Sequence, residues 1–338
     1  MGQRRRIGVV TVVAVVALAG GWLALRRGDI PYAVLERTYA NAHSHYVDLP
    51  GGVRMHFRDQ GARDGATLLL LHGYSASLHA WEPWVARLGD RLRLVTIDLP
   101  GHGLTRAPVG YRASIEQYVA GVETFAQAQQ LARFTLVGSS MGGNVAWEYA
   151  LAHPERVEAL VLVDASGWPD AGAGAHGGLV FSLLRRPTLR PILRDLDSTR
   201  LIRQGLEAAF VDRRLVDDAM VRRYGELTRA PGHRDILLDM GDRSARQQAT
   251  HERLAAIRVP ALILQGEQDR LVPAADAHRF AAAIAGSQLV LWPDDGHLPM
   301  EEHPDRSAEA VATFLASVQR SAHAGTVGRT ATTHLDPG

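Results

Sequence analysis

Short runs made up mainly of apolar residues recur along the central part of the chain. The runs are Thr67–Leu71, Leu92–Ile97, Phe134–Val137, Val157–Val163, Ala261–Leu264 and Gln288–Leu291. Each has the length and continuous apolar character of a strand buried on both faces of a sheet. Apolar residues at helical spacing fill several of the intervals: 115–131, 141–152, 274–284 and 304–318. Strands that alternate with helices predict an α/β fold with a mostly parallel sheet flanked by helices.

This alternation begins near Tyr46, where two alternating stretches around Pro50-Gly51-Gly52 predict a hairpin. The alternation of strands and helices stops between residues 167 and 250, where apolar residues recur at helical spacing and no strand-like run is present. We therefore predict a core of residues 46–166 and 251–320 with a helical insertion at 167–250. An insertion there follows a strand's carboxyl end, where open α/β sheets bind ligands.

The N-terminal residues have a different pattern. Residues 7–25 carry no charge, and arginines stand on both sides of them, at positions 4–6 and 26–27. A helix of this length spans about 28 Å, close to the hydrocarbon thickness of a bilayer. We expect residues 1–27 to form a membrane anchor, with the globular part of the chain outside the cytoplasm. A cleaved signal peptide, which would give a secreted or periplasmic protein, and a buried helix are the alternatives.

The segments next to the core are less regular. We expect residues 28–45 to form a connector with some helical character. Residues 321–338 are mostly small and polar, which predicts a disordered tail. Residues 178–194 mix bulky apolar side chains with four arginines and no acid. A core-facing helix with solvated arginines and a segment that dips into lipid both fit this composition.

Composition excludes several classes of chemistry. The chain has no Cys, and all 37 of its basic residues are Arg. Thiol nucleophiles, thiolate metal sites, Schiff-base lysines and a phosphate-binding Walker lysine are thereby absent. The net charge of +1 gives no sign of a nucleic-acid partner. With only scattered His, we expect no metal and no cofactor.

The segment Gly138-Ser139-Ser140-Met141-Gly142 matches the G-x-S-x-G nucleophile elbow. It lies between the strand at Phe134 and the helix at Met141. A sharp strand-to-helix turn would expose the Ser140 hydroxyl and aim the first backbone N–H groups of the helix at the same point. A serine needs a base, and the base needs an orienting acid. Asp269 and His297 each follow a predicted strand, so their side chains should meet Ser140 at one sheet edge.

Five motifs follow one another along the chain in the order typical of the α/β-hydrolase family, and the chain resembles that family. They are Leu71–Tyr74 (Leu-His-Gly-Tyr), Asp98–Gly103, Gly138–Gly143, Gly266–Asp269 and Gly296-His297. The resemblance covers residues 46–318 and is closest to the capped branch of lipases, esterases and monoacylglycerol-lipase-like enzymes. It implies that residues 167–250 are a cap domain.

The resemblance also implies roles for single residues. Ser140 would be the nucleophile, His297 the general base, and Asp269 the orienting carboxylate. The backbone N–H groups of Tyr74 and Met141 would form the oxyanion hole. Asp164, at the end of its own strand, is a rival acid, because some members of the family use that position.

We therefore expect a monomeric serine hydrolase that cleaves small carboxylic esters, including lipid-like or acylglycerol esters. The same triad serves carbon–carbon bond hydrolases and cofactor-free perhydrolases, which remain alternatives. A non-catalytic ligand-binding protein is a third possibility. The N-terminal helix, and the cap in one reading, would contact the membrane.

Overall fold

The computed structural model describes residues 20–169, 186, 188–240 and 248–330. Its centre is a sheet with the strand order β1-β2-β4-β3-β5-β6-β7-β8. The strands are β1 (Ser44–Leu49), β2 (Val53–Gly61), β3 (Thr67–Leu71), β4 (Arg93–Ile97), β5 (Phe134–Ser139), β6 (Val157–Val163), β7 (Ala261–Gly266) and β8 (Gln288–Trp292). The first two strands form the predicted hairpin, and β2 also pairs antiparallel with β4. All other neighbours are parallel. The predicted mostly parallel α/β sheet is confirmed.

Helices cover both faces of this sheet. Outside the segment between β6 and β7 they are α1 (Tyr32–Tyr39), α2 (Glu82–Leu88), α3 (Ile115–Ala128), α4 (Met141–Ala152), α10 (Ala274–Ala283), α11 (Pro299–Glu302) and α12 (Pro304–Thr330). Side chains alternate along each strand. Leu69 and Leu71 therefore pack with α3, α4 and α10, whereas Leu68 and Leu70 pack with α2 and α12. Burial on both faces explains why the strands are continuous apolar runs.

The segment between β6 and β7 is called the β6–β7 insertion below. Its described residues form helices and no strand, as predicted: α5 (Arg190–Leu193), α6 (Thr199–Ala209), α7 (Asp218–Thr228), α8 (His233–Met240) and α9 (His251–Leu254). Lipid contact was one interpretation of residues 178–194, of which 178–185 and 187 lie outside the described residues. The insertion sits over the carboxyl ends of the strands.

The N-terminal connector packs on the insertion. Leu35 of α1 is buried in a cluster with Leu104, Leu227 and Ala230. The Ile30 N–H donates to the Arg229 carbonyl at 2.8 Å. The connector is therefore part of the folded domain.

Two predictions concern the ends of the chain. The predicted membrane helix at 7–25 lies mostly outside the described residues, and within those residues no helix is long and apolar enough to cross a bilayer. At the other end, α12 continues to Thr330, so the prediction of a disordered tail is wrong for residues 321–330. Elongating an existing helix costs far less than starting one, and Ala322 and Ala324 favour helix. Residues 331–338 lie outside the described residues.

Candidate active site

Ser140 occupies a tight turn between β5 and α4. Its backbone angles are φ 53° and ψ −116°, a conformation that L-residues rarely adopt. The turn requires glycine on both sides, because a Cβ at Gly138 would lie 2.2 Å from the Gly142 carbonyl oxygen. A Cβ at Gly142 would lie 2.3 Å from the Leu71 carbonyl oxygen. The predicted elbow is present, and its strain is localised at Ser140.

Asp269 and His297 meet beyond the ends of β7 and β8. His297 Nδ1 lies 2.7 Å from Asp269 Oδ2, and the two side chains are 7% and 0% exposed. The Asp269 carboxylate also accepts hydrogen bonds from the Leu271 and Val272 N–H groups, at 2.7 and 3.0 Å, and from Gln265 Nε2 at 3.2 Å. A carboxylate can only accept, so His297 donates from Nδ1 and its Nε2 is left as an acceptor.

Ser140 and His297 line one large cavity between the sheet and the β6–β7 insertion. Its volume is about 1000 Å³. Most of the lining is apolar, with leucines from the insertion and aromatic rings among the contributors. Lining residues from the insertion include Leu193, Leu196, Leu201, Ile202, Leu206 and Leu237. A cavity of this size and character suits an apolar ligand of drug or lipid size.

The two predicted oxyanion-hole residues lie on the same cavity. Met141 is the first residue of α4, where backbone N–H groups have no partner within the helix. The loop after β3 lies against the elbow, since a Cβ on Gly73 would be 3.2 Å from the Ser140 Cβ. Tyr74 follows in that loop, and its hydroxyl donates to the Leu237 carbonyl at 2.7 Å.

Asp164, the rival acid, has a different partner. It is fully buried, and its Oδ1 accepts a hydrogen bond from the Gly266 N–H at 2.9 Å. Burial, followed by the charge of Asp269, raises the pKa of the Asp164 carboxyl well above its usual range. The residue hydrogen-bonded to His297 is therefore Asp269, as the sequence favoured.

Asp164, Asp269 and His297 bring donor atoms within 4.8 Å of one another, a spacing that a metal site could also have. Two of these three residues are already engaged with each other, because His297 Nδ1 and Asp269 Oδ2 form their own hydrogen bond. The arrangement therefore suits proton transfer at His297 Nε2.

Glu302 is a functional candidate that the sequence did not indicate. Two consecutive acids at a helix start are typical of a solvated position, but the Glu301 side chain and Glu302 are each only 6% exposed. Glu302 Oε1 accepts from the Val211 and Asp212 N–H groups at 2.7 and 2.8 Å. Its Oε2 accepts from the Gly296 N–H at 2.9 Å. Glu302 thus ties the insertion to the residue before His297.

The buried histidines near the elbow shape loops. His72 Nε2 accepts from the Leu99 N–H at 3.0 Å. Burial lowers the pKa of His72 and lowers that of His102 well below the usual value. Both are therefore neutral at pH 7.

Comparison with known proteins agrees with this architecture. The sequence model of the alpha/beta hydrolase family matches residues 68–310. The chain belongs to the alpha/beta hydrolase family. The resemblance inferred from the motifs is thereby confirmed.

Three similar proteins cover most of the chain. Bovine monoacylglycerol lipase ABHD6 is 30% identical over 258 residues, which cover 75% of this chain and 76% of that protein. The 2-hydroxy-6-oxo-2,4-heptadienoate hydrolase of Pseudomonas putida is 29% identical over 293 residues, covering 83% and 99%. The crystal structure of a membrane phospholipase A, a bacterial virulence factor, is 26% identical, with a TM-score of 0.69 and coverage of 94% and 99%.

Proposed function

We propose that this alpha/beta hydrolase is a serine esterase that cleaves lipid-like carboxylic esters through an acyl-enzyme. The observation that carries the proposal is the cavity, because Ser140 and His297 both line one large apolar space, and Asp269 is hydrogen-bonded to His297 behind it. This arrangement supports the roles of nucleophile, base and orienting acid for three residues that are far apart in the chain.

The reaction follows from these positions. Ser140 Oγ attacks the acyl carbon while His297 Nε2 takes its proton, and the backbone N–H groups of Met141 and Tyr74 stabilise the oxyanion. The imidazolium then gives the proton to the leaving alcohol oxygen, which departs and leaves the acyl group on Ser140. Water, deprotonated by His297, attacks this acyl-enzyme, and the acid leaves as the proton returns to Ser140 Oγ. Asp269 holds the imidazole in the tautomer that both steps require.

The charges around the cavity favour an uncharged ester over the dienoate that the Pseudomonas putida relative's name describes. A dienoate carries a carboxylate, which a buried site would match with a free cation. Two arginines contribute to the described lining, Arg194 and Arg234. Both form ion pairs with Asp195, and Arg194 also pairs with Asp235.

A substrate comparison tests this proposal. Full-length protein should hydrolyse p-nitrophenyl esters, with kcat/KM rising as the acyl chain lengthens, and should act poorly on vinylogous diketone acids. Ser140→Ala should lower kcat by on the order of 10⁶. A fluorophosphonate probe should label wild type at Ser140 and leave the variant unlabelled. Faster turnover of the diketone acid would favour the carbon–carbon hydrolase, and binding without turnover would favour a ligand-binding protein.

We also propose that residues 7–25 anchor the protein in a membrane with its catalytic domain outside the cytoplasm. The uncharged run between two arginine groups supports this. Leu23 and Leu25, at its end, are 65% and 55% exposed. The protein should remain with membranes after a carbonate wash, and N-terminal sequencing should find residues 1–19 intact. A mature chain that begins at Gly20 would instead indicate a cleaved signal peptide.

A further inference from the structure

Asp164 occupies an unusual position directly after β6. Its φ is 45°, in the left-handed region that a residue with a side chain seldom enters. Its N–H donates to the Leu264 carbonyl on β7 at 2.9 Å, and the residue is fully buried. This backbone conformation turns the carboxyl group toward the end of β7, beside Asp269.

The two neighbouring carboxyl groups have unequal sets of donors. Asp269 accepts four hydrogen bonds, from two backbone N–H groups, Gln265 and His297. Asp164 accepts one, from Gly266, and its Oδ2 is a buried atom with no hydrogen-bond partner among the described residues. Oxygens of the two carboxyl groups lie within 4.8 Å of each other. A hydrogen bond between two carboxyl groups requires a proton on one of them.

Only one of these carboxyl groups can be ionised at low cost. Like charges this close in a buried site repel strongly, and buried carboxyl groups avoid ionisation when they lack donors. The four donors stabilise the ionised form of Asp269. Burial and the charges of Asp269 and Asp295 raise the pKa of Asp164. The charge of Asp295 is itself balanced by the Arg306 guanidinium at 2.7 Å, and the carboxylate also has a hydrogen bond to His303 Nδ1.

We propose that Asp164 is a positioning residue that stays protonated at neutral pH and directs the proton on Oδ2 at the Asp269 carboxylate. Its effect on turnover rests on the proposed function. The hydrogen bond would hold Asp269 against His297 Nδ1. A neutral Asp164 also leaves His297 beside one negative charge rather than two. A second negative charge beside the ring would disfavour the neutral imidazole that accepts the Ser140 proton.

The pH dependence of kcat/KM separates a neutral Asp164 from an ionised one. Asp164→Asn replaces a neutral donor with another of the same shape, so kcat/KM should stay within about threefold of wild type. The acid limb of its pH profile should not move. If Asp164 were ionised, Asn would remove a charge near His297 and shift that limb to lower pH by about one unit or more. Such a shift would overturn the proposal.

The alanine variant tests the hydrogen bond itself. Asp164→Ala leaves Asp269 and the Gly266 N–H without this partner, so kcat should fall roughly tenfold or more as His297 is held less well. Asp164→Asn, which keeps the hydrogen bond, should retain the kcat that Asp164→Ala loses. A residue that only fills space would not make kcat depend on this hydrogen bond. Equal loss in the Ala and Asn variants would overturn the proposal.

A measurement without turnover keeps this inference separate from the proposed function. In wild-type protein labelled at aspartate carboxyl carbons, the NMR signal that Asp164→Asn removes should have the shift of a neutral carboxyl at pH 7. Asp59, 2.8 Å from the Arg93 guanidinium, provides the ionised reference. An ionised signal for Asp164 would refute the proposal even if esters are hydrolysed. A neutral signal would support it even if every ester fails.

Discussion

Glu302 gives the sharpest test of how the β6–β7 insertion acts on the candidate site. Its carboxylate accepts hydrogen bonds from the N–H groups of Val211 and Asp212 in the insertion and of Gly296 beside His297. The backbone of His297 is attached to the insertion a second time, since its N–H donates to the Ala209 carbonyl at 2.6 Å. Removing Glu302 should therefore loosen the insertion and the His297 loop together.

The expected magnitude follows from these three bonds. At about 1.5 kcal/mol for each charge-assisted hydrogen bond, Glu302→Ala would lose about 4–5 kcal/mol of unfolding free energy. Water entering the vacated space should restore part of this, which leaves a loss of about 3 kcal/mol. Glu302→Gln keeps an acceptor for Val211 and Asp212 but turns an amide NH₂ toward Gly296. One unsatisfied N–H should cost about 1–3 kcal/mol.

Unfolding in urea and steady-state ester hydrolysis measure the two consequences separately. A displacement of about 1 Å at a catalytic group can lower the rate on the order of 10²-fold, so Glu302→Ala should lower kcat by up to that factor. Glu301→Ala is the matched control. Glu301 accepts from Arg223 and Tyr224 of α7, at 2.7 and 2.8 Å, and the residue before His297 is not among these partners.

The comparison of the two glutamates can refute the reasoning. Both alanine variants should lose stability, but kcat should stay within about threefold of wild type in Glu301→Ala. Equal kcat losses in the two variants would mean that general loosening of the insertion is responsible. An unchanged kcat in a clearly destabilised Glu302→Ala would show that His297 does not depend on this contact.

Three further outcomes can be measured. Asp269→Asn should lower kcat by about 10⁴ in ester hydrolysis, because the imidazole is left in the wrong tautomer. Gly142→Ala should prevent stable folding, because the added Cβ would lie 2.3 Å from a carbonyl oxygen. Gly121→Ala on α3 is the control: its Cβ would have nothing within 4 Å, so the free energy of unfolding, measured by thermal unfolding, should rise by up to about 1 kcal/mol. Burial keeps His72 and His102 neutral in the folded protein, so below a pH of about 6.5 the unfolded chain binds more protons than the folded one. As the pH falls further, each of the two histidines should lower the free energy of unfolding by about 1.4 kcal/mol per pH unit.

The parts of the fold that could be predicted from sequence are those that depend on local pattern. Buried parallel strands must be apolar on both faces, so Val157–Val163 appears in the sequence with the bounds it has in the structure. The elbow is equally local, because its glycines are required by contacts within one turn and with the adjacent strand. Asp269 and His297 follow strands whose ends meet at one sheet edge, and this alone placed them as neighbours.

The contacts that could not be predicted join residues far apart in the chain. Glu302 looked like part of an exposed acidic pair, and nothing near it in sequence indicates that Val211 and Asp212 would bury it. Asp164 could be recognised as a carboxyl at a strand end, but its state depends on the donors that surround Asp269. The helical tail to Thr330 was missed because a small, polar composition does not reveal that a packed helix precedes it.

The insertion connects ligand binding to the position of His297. Helix α6 lines the cavity with Leu201 and Leu206, and at its end Ala209 accepts the hydrogen bond from the His297 N–H. At its other side the insertion is held by the N-terminal segment, where the Asp197 N–H donates to the Leu25 carbonyl at 2.9 Å. A ligand that displaces α6 therefore also pulls on the loop that carries His297. The bonds from the His297 N–H to Ala209 and from the Asp197 N–H to Leu25 are made by the backbone, so they persist when side chains on α6 are replaced. A side-chain change on α6 that alters the cavity should therefore also shift His297, and KM and kcat should change together.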